Sequence, residues 1–268
     1  MPKPSGHRKS RRRQLQASHQ KNWLTGRYAV LEALRAGRWP VLSLFVSDEL
    51  APQELSEAIG LADTAGVTLQ QESRQRLTEL SGSEHHQGFV ARMGEYPYSS
   101  VHDLLDQVST LAPTDGRWPL LVVFDRIQDT FNFGAILRCC DAMNVAGVVI
   151  GSVQQAGATP QVARSSSGAV HHVPIAVTDD LLAATREIQQ AGFCVAAASE
   201  KSTAAAWTSQ LTSPIALIIG SEAHGVSDEL IDLCTQHLRI PMLGQVTSLN
   251  AAVAAGILLY EIRRQQLS

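Results

Sequence analysis

The chain has 268 residues, 44% of them apolar and 18% charged, with a formal charge of −3 at pH 7. That length exceeds one ordinary domain and supplies apolar residues enough for buried cores, so two domains are expected. No apolar run approaches the roughly 18 to 20 residues that span a bilayer, and no apolar segment follows the basic N-terminus, so no membrane span or secretory leader is expected, and a cytoplasmic location is.

The first 21 residues hold Lys3, Arg8, Lys9, Arg11, Arg12, Arg13 and Lys21 and no acid. Removing these seven from 22 Lys+Arg leaves 15 against 25 Asp+Glu, so the rest of the chain carries −10. A basic, Ser/Gln-rich arm with few apolar residues cannot offset its ordering entropy and is expected to be disordered. Its charge suits RNA phosphates, with Arg8, Arg11, Arg12 and Arg13 as contacts; a solubilising end is the plainer alternative.

Residues 22–95 read as a small α/β domain. Gly26–Leu34 opens an amphipathic helix closed by Gly37, and Val41–Val46 is a strand by its β-branched and aromatic content. A helix is expected over Gln53–Ala65, with Pro52 tolerated in its first turn, then a strand at Val67–Leu69, a helix over Arg74–Leu80 and a strand over Gly88–Met93. In residues 96–118, Pro/Gly punctuation at Tyr96-Pro97-Tyr98 and Ala112–Pro119 brackets one short helix, Val101–Val108, and marks a linker.

Residues 119–268 alternate cleanly. Strands are expected at Leu120–Phe124, Gly147–Ile150, Val173–Val177, Phe193–Ala198, Ile215–Ile219 and Leu238–Pro241. Helices are expected at Gly134–Met143, Val162–Ala169, Leu181–Ala191, Ser227–Thr235 and Ser248–Gln265, with Ser227 as an N-cap. Continuous apolar strands separated by helices mean an α/β fold with a parallel sheet covered on both faces.

Such a sheet can host several nucleotide-type ligands. The GxGxxG fingerprint is absent after every expected strand. Gly220-Ser221-Glu222-Ala223-His224-Gly225 has the glycine spacing of a P-loop, but Val226 stands where its lysine belongs, and Glu222 would repel phosphate. An acid beside a glycine turn suits a ligand with a cationic or neutral polar face, such as a sulfonium. His85-His86 and His171-His172 diverge if extended and cannot share a metal; these four are read as structural or surface residues. Cys139, Cys140, Cys194 and Cys234 have neither metal-ligand spacing nor the character of a disulfide framework, and are read as reduced thiols.

Three stretches remain: Asn132-Phe133-Gly134-Ala135-Ile136-Leu137-Arg138, Ile219–Gly225, and Ile240-Pro241-Met242 running on to Ser248-Leu249-Asn250. Each follows an expected strand at its C-terminal end, where open α/β sheets build ligand sites. In this order and spacing they resemble the three signature motifs of the SpoU/TrmH family, which methylates RNA ribose 2′-hydroxyls with S-adenosylmethionine. The Gly26 segment and the Gln87-Gly88 turn likewise resemble the ribosomal-protein-like substrate-binding domain that precedes many catalytic domains of this kind. Where relatives often carry Pro-x-Asn or His-Asn, this chain has Thr130-Phe131-Asn132-Phe133. Phe131 and Phe133 can stack on a base or pack against the sheet; packing is expected of at least one.

The resemblance implies a C-terminal trefoil knot, which general topology would argue against. It implies a cofactor site at Gly220, Ile240 and Leu249, with Met242 and Ser248 close by, and Asn132, Arg138, Glu222, Ser248 and Asn250 at the reacting centre. It places Arg138 at the ribose, either as the base or as the group that stabilises the alkoxide and holds a phosphate. A guanidinium pKa above about 12 favours the second. Glu222 can accept hydrogen bonds from that guanidinium or from backbone, while Asn132, Ser248 and Asn250 can equally be helix caps. Arg27 and Arg164 are further candidate RNA contacts. A homodimer, a structured RNA substrate (ribosomal ahead of transfer RNA) and no metal complete the expectation. A transfer-RNA enzyme, or a silent RNA-binding protein of the same fold, is the alternative.

Overall fold

A computed structural model of the chain describes residues 22–109, 117–200, 202, 204–246 and 248–267. The basic arm, with Arg8, Arg11, Arg12 and Arg13, lies outside the described residues.

The first unit runs β1 (Trp23–Thr25), α1 (Arg27–Ala36), β2 (Val41–Ser47), α2 (Pro52–Ala65), β3 (Leu69–Glu72), α3 (Arg74–Ser81) and β4 (Phe89–Met93). Its sheet has the order β1-β4-β2-β3, with β2 and β3 parallel and the other pairs antiparallel. Helix α1 buries Val30, Leu31, Ala33 and Leu34 and ends at Gly37, whose left-handed conformation lets its N–H return to the Ala33 carbonyl. β1 was not expected. It is three residues long and exists by pairing with β4, a partner more than sixty residues away that no local pattern announces.

Residues 96–109 are less of a linker than their prolines suggest. The Tyr96 hydroxyl donates to the Val170 carbonyl at 2.9 Å, Ala158 N–H donates to the Tyr98 hydroxyl at 2.7 Å, and Ser99 N–H donates to the Ile175 carbonyl. Helix α4 (Val101–Ser109) then packs its buried Val101, Leu104, Leu105 and Val108 on the large sheet.

That sheet is built from β5 (Leu120–Asp125), β6 (Gly147–Gly151), β7 (Ile175–Thr178), β8 (Cys194–Ala198), β9 (Ile215–Gly220) and β10 (Gln236–Leu238). Its order is β10-β8-β9-β5-β6-β7, and every pairing is parallel. The connecting helices are α5 (Thr130–Ala142), α6 (Pro160–Ser165), α7 (Leu181–Gln190), α8 (Asp228–Ile231) and α9 (Ala251–Gln266). Alternation along β5 separates the two cores. Leu120, Val122 and Phe124 face the core shared with α5 and α9, while Leu121 and Val123 face the one shared with α4 and α7.

Several boundaries differ from expectation. Helix α5 begins at Thr130, four residues early, because the Asp129 carboxylate caps it by accepting from Phe131 N–H at 2.9 Å. Asn132 therefore lies in the first helical turn. The last strand falls at Gln236–Leu238, where parallel pairing with Ala196–Ala198 places it, and the segment around Pro241 is irregular. The expected Ser227–Thr235 helix shrinks to four residues, and Ser227 sits at its cap position without a side-chain cap bond.

The two units meet along residues 164–172. Arg164 Nη1 donates to the Thr25 hydroxyl at 2.9 Å, His172 Nε2 lies 2.7 Å from a Glu32 oxygen, and buried His171 packs its ring 5.9 Å from that of Trp39. Among the described residues, no helix is long and apolar enough to cross a membrane.

Candidate active site

The ends of β8, β9 and β10 lie side by side because β8 pairs with both β9 and β10. Their exits enclose a cavity of about 700 Å³, within the range of cofactor and substrate sites. All five expected cofactor residues, Gly220, Ile240, Met242, Ser248 and Leu249, line it. Gly220 has no room for a side chain: a Cβ there would lie 2.0 Å from the Gly225 carbonyl carbon, so the loop folds back directly onto the strand end.

Glu222, on the cavity wall, is held by a hydrogen-bond cluster that extends beyond the lining. Glu222 Oε1 accepts from Asn132 Nδ2 at 2.6 Å and from Asn250 Nδ2 at 2.7 Å, and Asn250 Nδ2 also donates to Asn132 Oδ1 at 2.9 Å. Asn250 Oδ1 meanwhile caps α9, accepting from Ala252 and Val253 N–H. Glu222 is thus satisfied by the two asparagines, not by the Arg138 guanidinium. Asn132 and Asn250 also border a second, shallow apolar groove between α5 and α9, lined by Phe131, Ala135, Val253 and Ile257.

Arg138 stands apart. It is exposed on α5, six residues beyond Asn132 and so about 9 Å further along the helix axis and rotated off its face. Among the described residues it forms no ion pair. Ser248 is exposed on the cavity rim and leaves the helix cap to Asn250.

Of the two phenylalanines, Phe133 is buried edge-on against Phe124 at 5.2 Å between ring centroids, while Phe131 is 64% exposed. Arg27 is ion-paired. Its guanidinium is held by Glu54 at 2.7 Å and by Glu57 at 3.1 Å, a carboxylate that Arg35 shares. Arg164 keeps an exposed position, donates to the Thr25 hydroxyl, and forms no ion pair among the described residues.

Glu200, His224 and His237 also line the cavity and were not singled out in the sequence. Glu200 follows the end of β8, so the rule that sheet ligands gather at C-terminal strand ends pointed to it. His237 lies within a short strand whose position only the pairing with β8 reveals.

The cavity fits S-adenosylmethionine on its own features. It has the volume, a backbone wall at Gly220, apolar side chains at Leu238, Ile240 and Leu249, and carboxylates at Glu200 and Glu222 to face a cationic ligand. Comparison with known proteins points the same way. Residues 119–260 match the model of the SpoU rRNA methylase family. The chain belongs to the SpoU/TrmH family.

Residues 23–99 match a second model, RNA 2′-O ribose methyltransferase substrate binding. Bacillus subtilis YacO, named as a TrmH family tRNA/rRNA methyltransferase, is 32% identical over 93% of this chain and 98% of its own length. Among solved structures, the SpoU methyltransferase AviRb of Streptomyces viridochromogenes, in complex with AdoMet, superposes with a TM-score of 0.77 at 26% identity, covering 98% of this chain and 99% of that one. An AdoMet-bound rRNA methyltransferase of Sinorhizobium meliloti gives 0.76 at 27%, covering 98% and 96%. The SpoU/TrmH class comprises S-adenosylmethionine-dependent RNA methyltransferases, and this chain is one of them.

Proposed function

We propose that this SpoU/TrmH enzyme methylates ribose 2′-hydroxyls in structured RNA, ribosomal ahead of transfer RNA, as a cytoplasmic homodimer. The observation that carries the reading is the cavity itself: all five residues assigned to the cofactor line it, and so does Glu222, whose carboxylate Asn132 and Asn250 hold. The 2′-O assignment draws on the match of residues 23–99 to a 2′-O ribose methyltransferase substrate-binding model. The preference for ribosomal RNA draws on the catalytic family's description and on the basic arm. In this reading the last strands and loops form the knot that the family resemblance implies.

Bound S-adenosylmethionine supplies an activated methyl group on a sulfonium. The chain's own part is to hold a ribose hydroxyl in line with it and to manage the hydroxyl proton. Glu222, fixed through Asn132 and Asn250, presents negative charge to the cavity without bond rotation. Ser248, on the rim, is placed to hydrogen-bond the hydroxyl or the cofactor tail. Arg138 stabilises the developing alkoxide and holds the neighbouring phosphate, a role that suits a permanently charged guanidinium better than proton abstraction.

Because Arg138 is remote from Glu222 within one chain, the site is completed by the partner subunit's Arg138. The apolar groove with exposed Phe131, Val253 and Ile257 supports α5 and α9 as the surface that pairs. A silent RNA-binding protein would have no use for a carboxylate held by two amides at a cofactor-sized cavity.

The test is transfer of labelled methyl from S-adenosylmethionine to ribosomal and transfer RNA from cells lacking the gene, followed by alkaline digestion. A 2′-O-methyl group blocks cleavage at its own phosphodiester, so label in alkali-stable dinucleotides of ribosomal RNA is expected. Label on free bases or mononucleotides would overturn the 2′-O assignment. Label confined to transfer RNA would overturn the substrate.

A further inference from the structure

The central strand ends in a charged pair that the methyl-transfer reading leaves unused. Asp125 closes β5 and is 4% exposed, yet its carboxylate is held from two directions. Arg126 donates to it through Nε at 2.9 Å and Nη2 at 3.1 Å, and Ser227 N–H donates to Oδ2 at 2.7 Å. The same Arg126 Nη2 lies 3.4 Å from the Gly225 carbonyl oxygen. Successive side chains on a strand point to opposite faces, so a residue does not normally grip its neighbour in this way. Here the grip depends on the backbone: Arg126 has φ +61°, a region that L side chains disfavour. A non-glycine residue is kept in that conformation only where its surroundings over-determine it, and the position adjoins a ligand cavity.

The target of the grip is the loop that walls the cavity. Gly225 and Ser227 flank Val226, and Gly225 and Val226 both line the cavity. Across the ladder Asp125 pairs with Gly220, whose missing side chain lets the loop fold back to 2.0 Å from a Cβ built there. The loop is therefore pressed onto the strand end from one side and tied by Asp125 and Arg126 from the other. An exposed ion pair between sequence neighbours would have little influence on anything else. This carboxylate is buried, and one of its oxygens bonds loop backbone directly.

We propose that Asp125 and Arg126 are positioning residues that set the shape of the cofactor cavity by clamping residues 225–227, without touching the cofactor. The inference rests on the reading of that cavity as the S-adenosylmethionine site. Arg126 orients the Asp125 carboxylate, and Asp125 holds the Ser227 amide. Removing the guanidinium releases both the carboxylate and the Gly225 carbonyl.

The experiment compares the full chain with Arg126→Gly, which also relieves the positive φ, and Arg126→Lys, which keeps the charge but not the fork. Three quantities are measured: the S-adenosylmethionine dissociation constant by calorimetry, amide hydrogen exchange of residues 221–227 without cofactor, and Tm. For Arg126→Gly the expected outcome is cofactor affinity weakened about fivefold or more and exchange at Ser227 accelerated about tenfold. Tm should hold or rise, and kcat at saturating cofactor should stay within about twofold of the parent. Arg126→Lys should recover part of the affinity. A purely structural pair would lower Tm and spare affinity, which would overturn the proposal, as would unchanged Ser227 exchange. If the parent itself holds no S-adenosylmethionine, the cofactor reading fails, and the exchange comparison still decides the clamp.

Discussion

Asn250 and Glu222, 28 residues apart in sequence, meet at 2.7 Å between Nδ2 and Oε1. The opposite atom of the same amide, Oδ1, caps α9. One side chain thus fixes both the start of the last helix and the carboxylate of the second motif. Asn132 reaches the same Glu222 oxygen from the first turn of α5. Three segments that are far apart in sequence are joined at one atom.

That geometry separates two substitutions of Glu222. Glu222→Gln keeps an oxygen able to accept from both amides, so Tm should move little, while loss of the charge lowers kcat about tenfold or more. Glu222→Ala leaves two donors without their acceptor and should destabilise the fold by about 1–3 kcal/mol. Thermal melts and initial rates on the two variants check this; equal Tm for both would show that the cluster does not hold the loops.

The exposed Arg138 leads to a prediction about assembly. Arg138→Ala should lower kcat about a hundredfold or more while cofactor affinity changes less than twofold. Mixing Arg138→Ala subunits with Glu222→Ala subunits under conditions of exchange should restore activity, because one site in each mixed dimer is intact. No restoration, or a monomer in sedimentation, would place Arg138 in its own chain's site.

His171 gives a pH dependence. Burial, followed by the neighbouring His172, pushes its pKa down to about 4, with Glu32 opposing and Arg38 reinforcing the shift. The folded state therefore keeps His171 neutral while the unfolded chain takes up a proton below about 6.5. Stability is full above that value and falls as pH drops towards 4, by up to about 3 kcal/mol. His171→Phe, facing Trp39, should flatten that loss in denaturant titrations between pH 7 and 4; an unchanged slope would assign the acid sensitivity elsewhere.

The arm is tested by salt. Deleting residues 1–21 should weaken RNA binding and lower the salt slope by about 0.7 log units for each phosphate that the arm no longer neutralises. An identical slope would reduce the arm to a solubilising end.

Much of this was legible because the relevant signals are local. Gly37 stops α1, apolar runs mark β5 and β9, and the second and third motifs name residues that line the cavity. What escaped depends on distant partners. β1 exists only against β4, β10 takes its register from β8, and α5 begins early because Asp129 caps it ahead of a glycine that reads as loop. Residues 96–99 look like a spacer until Tyr96 and Tyr98 find partners in the second unit. The link between Glu222 and the two asparagines was equally hidden, since no spacing rule joins residues 90 and 28 positions apart.

The central claim is that the loops after β9 and β10 hold S-adenosylmethionine, and equilibrium dialysis tests it most directly. Leu249 is 37% exposed at the cavity, so Leu249→Asp can be made without opening a core. The parent should retain one cofactor per chain, and the variant, with unchanged circular dichroism, should bind about tenfold more weakly or worse. A parent that retains no cofactor, or a variant that binds as tightly as the parent, would contradict the account.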